Sequence, residues 1–64
     1  MERNDKVTFS WKTASGRRTS FKTFGQDFKF HAVELMEQEQ NEEIFDVWFT
    51  CNEITEKLDY YNTL

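Results

Sequence analysis

From Lys6 to Thr13 apolar and polar positions alternate: Val7, Phe9, Trp11 and Thr13 fall on one side, and Lys6, Thr8, Ser10 and Lys12 on the other. A period of two predicts a half-buried strand. The run from Arg18 to Phe24 repeats it, with Thr19, Phe21 and Thr23 opposed to Arg18, Ser20 and Lys22. Between them residues 14–17 read Ala-Ser-Gly-Arg, and Gly16 can supply the positive φ that tight hairpin loops need. The two runs therefore predict an antiparallel hairpin.

After Gly25 the period changes. Phe28, Ala32, Leu35, Met36 and Glu39 recur at i, i+4, i+7, i+8 and i+11, which predicts an amphipathic helix. Asp27 is a candidate N-cap, and Thr23 with Gln26 forms a competing capping box. The alternation of Phe28, Lys29 and Phe30 also allows the second strand to run past Gly25 as a bulge. The polar stretch 37–43 closes the helix, with Asn41 a candidate for a left-handed C-cap. Ile44 to Cys51 then alternates again, placing Phe45, Val47, Phe49 and Cys51 on one face and Asp46, Trp48 and Thr50 on the other. Beyond it Ile54, Leu58 and Tyr61 return to helical spacing, and Thr50 with Glu53 matches a capping box, so a short C-terminal helix is predicted. A strand through residues 58–61 is the other reading of that segment.

The expected fold is α+β: a three-stranded antiparallel-type sheet with one helix on one face, in the order ββαβ, followed by the short helix. Residues 1–64 form one domain, with 1–5 a flexible lead-in, 6–51 the ββαβ core and 52–64 a C-terminal helix or tail. The expected core is Val7, Phe9, Trp11, Phe21, Phe28, Ala32, Leu35, Met36, Phe45, Val47 and Phe49, leaving Lys12, Lys22 and Trp48 on the exposed sheet face. A chain of 64 residues buries only about 60% of the surface it exposes when unfolded. Seven Phe and two Trp have to supply most of that core.

Charge divides the chain. Residues 1–31 carry seven basic and three acidic side chains, whereas residues 32–64 carry nine acidic and one basic, so the net charge of -4 conceals two fields of opposite sign. Glu34, Glu37, Glu39, Glu42 and Glu43 gather on the helix and at its C-terminal end, where negative charge opposes the helix dipole by roughly 0.3–1 kcal/mol per group. Charges that weaken a marginal fold point to a partner.

The inventory for catalysis is thin. One His, one Cys, no glycine-rich phosphate loop and no pair of His argue against an enzyme, a metal centre or a cofactor. His31 is expected to be a packed or surface residue and not a base, and Cys51 a small buried apolar residue. A single Cys forms no internal disulfide, which favours a reducing, cytoplasmic setting, and no apolar run approaches the length of a membrane span. Lys12, Arg17, Arg18 and Lys22 form a basic hairpin that could reach phosphates, and Trp48 could stack a base. The reading that uses both fields is protein–protein interaction: Glu34, Glu37, Glu39, Glu42, Glu43 and Asp46 as an acidic surface, the hairpin cations as a second contact, and Trp48, Tyr60 and Tyr61 as aromatic anchors.

The order of elements over residues 6–51, the size and the acidic skew resemble the small phage-encoded proteins that disable host enzymes, such as the podovirus inhibitors of bacterial RNA polymerase. The resemblance implies inhibition by occupying a basic channel of a larger protein where nucleic acid would pass, with Arg17 or Arg18 making a second contact. The chain is expected to be a monomer or weak homodimer, in the host cytoplasm if viral. A related expectation is DNA mimicry, with Glu34, Glu37, Glu42 and Asp46 standing in for phosphates. The alternatives are a nucleic-acid-binding protein that uses the hairpin, and an oligomerising subunit that pairs through Trp48 and the third strand.

Overall fold

The computed structural model describes residues 1–59. Four strands and one helix follow in the order β1 (Lys6–Thr13), β2 (Arg18–Phe24), a 3-10 turn (Gly25–Asp27), α1 (Phe28–Gln40), β3 (Ile44–Cys51) and β4 (Ile54–Lys57). The strands form one antiparallel sheet in the order β2-β1-β3-β4, so β1 and β3 are interior and β2 and β4 are edges. The fold is α+β, as the alternating and helical periods predict. The β1–β2 hairpin closes as expected: Thr13 N donates to Arg17 O at 2.8 Å, Gly16 N donates to Thr13 O at 2.8 Å, and Gly16 has φ +87°. Nothing lies within 4 Å of a Cβ placed on Gly16, so the position needs glycine for its φ and not for space.

The C-terminal segment departs from the expectation. In place of a helix, Asn52 and Glu53, at φ 52° and 67°, make a two-residue turn, and β4 returns along β3 with Thr55 opposite Thr50 and Lys57 opposite Trp48. Positive φ at both central residues is the type I′ geometry that matches the twist of a hairpin. A lone helix of this length would be marginal in water. The strand instead gains ladder bonds and, just past its end, seals Leu58 into the core at 1% exposure, with Leu58 N donating to Val47 O at 2.9 Å.

The third strand also carries a bulge that the alternation conceals. Ser10 pairs with Trp48 and Lys12 with Phe45, so the register slips by one residue opposite Trp11. Asp46 takes φ +56° at that point. A one-residue insertion exchanges the faces on its far side. Ile44 therefore turns inward and is buried, while Phe45, expected in the core, is exposed.

The core is Val7, Phe9, Ala32, Leu35, Ile44, Val47, Phe49, Cys51 and Leu58, with Trp11, Phe28 and Met36 packed against it. Helix α1 lies over the two interior strands: the Phe28 ring is 5.5 Å from Phe9 and 5.0 Å from Phe49. Edge strand β2 is reached by α1 only at its margin, through His31 against Phe21, which is why Phe21, expected in the core, is 42% exposed. The helix ends one residue later than expected. Asn41 has φ -84°, and it is Glu42, at φ 62°, that takes the left-handed position. Glu43 N donates to Gln38 O and Glu42 N to Glu39 O, the paired bonds of a Schellman cap.

Residues 1–5 enter β1 through a turn. Gly25 N donates to Asp5 O and Gln26 N to Arg3 O, and a Cβ on Gly25 would lie 2.0 Å from Glu2 O, so glycine is required there for close approach. The Asp5 carboxylate accepts from Glu2 N at 2.8 Å and from the Asn52 amide at 3.1 Å, and these bonds hold its pKa below the usual value.

Candidate interaction surfaces

Directly paired residues on antiparallel strands share a face. The side of the sheet away from α1 therefore presents Arg18, Ser20, Lys22 and Phe24 from β2, Lys6, Thr8, Ser10 and Lys12 from β1, Phe45, Trp48 and Thr50 from β3, and Thr55 and Lys57 from β4. Lys6, Lys12, Arg18, Lys22 and Lys57 make it basic. The bulge brings one carboxylate, Asp46, among them. Asp46 Oδ1 accepts from the Trp48 indole N–H at 2.8 Å, and its Oδ2 accepts from Arg18. The Arg18 guanidinium reaches across β1 to do so, donating also to Ser10 Oγ at 3.1 Å and to the Asp46 carbonyl at 2.9 Å. The Trp48 bond first, and the Arg18 bond and charge after it, hold the Asp46 pKa below the ordinary carboxylate range. The outcome is an indole pinned in one orientation on a cationic face.

The helix side has the opposite sign. Glu34, Glu37, Glu42 and Glu43 are exposed there, and Glu37, Glu39, Glu42 and Glu43 have no ion pair with another described residue. No basic residue sits in the last turn of α1. Because α1 reaches β2 only at its margin, a groove of about 260 Å³ opens between helix and sheet edge, lined by Trp11, Phe21, His31, Glu34, Leu35 and Gln38. The His31 ring is 4.8 Å from Phe21 in an edge-on contact, and its Nδ1 is 3.9 Å from Glu34 Oε2. Glu34 and Gln38 also line the next hollow, of about 250 Å³, with Glu37, Asn41 and Glu43. An aromatic groove thus empties into a carboxylate-lined one.

The structure sorts the expected site residues onto these two faces. Glu34, Glu37, Glu39, Glu42 and Glu43 stay together on the helix side, while Asp46 lies apart from them on the basic face. Lys12 and Lys22 stand on the sheet face and Arg17 in the exposed loop, whereas Arg18 is folded over the sheet. Trp48 is on the uncovered face as expected, and Tyr60 and Tyr61 lie outside the described residues. Sequence reasoning missed Lys6 and Lys57, which the register brings to the basic face, and the Trp11–Phe21–His31 groove, which depends on where the helix stops covering the sheet. Lys6 was legible, being in phase with Lys12. Lys57 was not, because Ile54, Leu58 and Tyr61 carry a helical spacing that hides the strand register.

Cys51 is buried at the end of β3, and His31 is half-buried between Phe21 and Phe30. Among the described residues no group of three His, Cys, Asp or Glu is placed to hold a metal, and no helix is long and apolar enough to cross a membrane. Comparison with protein-family models, with curated proteins and with solved structures returns no match.

Proposed function

We propose that this chain is a non-enzymatic binding module whose acidic helix face docks on the basic surface of a larger protein, inhibiting an enzyme that handles nucleic acid, such as an RNA polymerase or a nuclease. The observation that carries this reading is the junction of the aromatic groove with the acidic hollow through Glu34 and Gln38. An arginine or lysine from the partner would lay its stem against Trp11 and Phe21 and reach the carboxylates with its charged end. Recognition of that kind combines a desolvated aromatic anchor with long-range attraction, which raises both residence and encounter rate. Net charge opposing the helix dipole is consistent with selection for binding over stability.

The test is inhibition of purified bacterial RNA polymerase, a restriction nuclease and a repair glycosylase by the wild-type protein and its variants. One of these activities is expected to fall as protein is added, and Glu34→Lys with Glu37→Lys to weaken that effect by about tenfold or more. Phe21→Ala should weaken it without changing the charge. Inhibition that survives the double charge reversal would overturn the proposal. Arg17→Glu separates a pure DNA mimic, which keeps its activity, from an inhibitor that also uses the hairpin, which loses it. Arg18 is unsuitable for that purpose, because its loss also releases Asp46 and Trp48.

A further inference from the structure

We propose that the uncovered sheet face is a second site, taking single-stranded nucleic acid with one base stacked on Trp48. Three features of the face carry this. First, among the paired strand residues of the face, Lys6, Lys12, Lys22 and Arg18 meet one carboxylate, Asp46, which is already held by Arg18 and Trp48. Along those strands a polyanion meets cations, and the one acid among the paired residues is already engaged. Second, aromatic rings share it: Trp48, half-buried, with Phe45 and Phe24, which are 44% and 47% exposed. Trp48 and Phe45 stand on neighbouring rows of the sheet, and rows two residues apart along a strand are separated by about 6.8 Å, room for each ring to take its own base. Third, the indole is fixed in advance by the Asp46–Arg18 clamp, so little side-chain freedom is lost when a base stacks on it.

The same features select a single strand over a duplex. A four-stranded face with exposed rings can take unstacked bases, the part of a nucleic acid that can use such rings. A duplex hides its bases and would meet only the lysines. Ser10, Ser20 and Thr8 lie between the cations on the paired strands, adding hydroxyls that suit sugar and phosphate oxygens. This site lies on the opposite side of the sheet from the acidic helix face, and stands or falls apart from the inhibitor reading.

Fluorescence anisotropy of a labelled thymidine oligonucleotide about ten nucleotides long, and of its uridine counterpart, tests the site. Binding at about 50 mM salt is expected, weakening steeply as salt rises. Trp48→Ala should cost about 5- to 150-fold in affinity. Because Trp48 is half-buried, the exposed pair Lys12→Glu with Lys22→Glu gives a second reading from a folded protein and should reduce affinity by at least tenfold. Glu34→Lys with Glu37→Lys, on the other side, should leave oligonucleotide binding equal or tighter. The proposal is overturned by no binding at low salt, by equal affinity for the matching duplex, by polyglutamate competing as well as the oligonucleotide, or by salt-sensitive self-association that uses Lys12 and Lys22. The last two results would assign the face to an acidic protein or to a second copy of the chain.

Discussion

Asp46 takes a left-handed backbone, inserts the extra residue that turns Phe45 outward, and places its carboxylate between an indole and a guanidinium. Aspartate accepts φ > 0 more readily than most side chains and carries the acceptor the indole needs. Its pKa is held down chiefly by the Trp48 bond and next by Arg18, and that of Asp5 by Glu2 and Asn52. With folded values below the ordinary 3.8, the unfolded chain binds protons first as acid is added. The stability these groups contribute is therefore complete above that value and is lost as pH falls through the lowered folded values. Urea denaturation between neutral pH and about pH 2 should show a decline that sets in near pH 4. Asp46→Asn is expected to make the decline shallower and to loosen Trp48, read as a change in its fluorescence. An unchanged pH profile in that variant would remove the clamp from the account.

Elements were legible where the period was clean and illegible where one residue broke it. The β1–β2 hairpin follows from alternation and Gly16, and α1 from Phe28, Ala32, Leu35 and Met36. The face of β3 was not legible, because a bulge at an aspartate leaves no glycine to mark it. Nor was β4, because Ile54 and Leu58 suit either period and the type I′ turn is written Asn-Glu in place of the Asn-Gly that would have announced it. The acidic and basic patches were visible as composition, but which face each took depended on that register. Two elements therefore end on a glutamate in the left-handed region, Glu42 after α1 and Glu53 between β3 and β4. Each costs about 1 kcal/mol relative to glycine. Glu53→Gly and Glu42→Gly should each raise the unfolding free energy by about 0.5–1 kcal/mol in denaturant titrations, with the slope unchanged. No gain from Glu53→Gly would count against the type I′ turn and with it against β4.

At the scale of the whole molecule, the two fields along the chain become two faces in the main, with Asp46 and Lys57 of the acidic half carried onto the basic one. The β1–β2 hairpin contributes its cations to the outer side of the sheet, and the helix with its Schellman corner holds the carboxylates on the other. The described backbone extends 32 × 21 × 15 Å, so each face is broad compared with the distance to the other. Like charges on neighbouring strands or helical turns lie about 5–7 Å apart, closer than the opposite face. Repulsion within each face therefore outweighs attraction between the faces. Raising ionic strength from about 10 mM to 0.15 M shortens the screening length from about 30 Å to about 8 Å, which reaches the in-face pairs least but removes their collective, longer-range sum. The folded state, which concentrates these charges, gains more from that screening than the unfolded chain, where they are spread out. The melting temperature is thus expected to rise with added sodium chloride over this range, and to rise less in Glu34→Lys with Glu37→Lys, where the acidic face is diluted. A melting temperature that falls with salt would mean that attraction between the faces dominates, and would remove charge segregation as the organising feature of the surface.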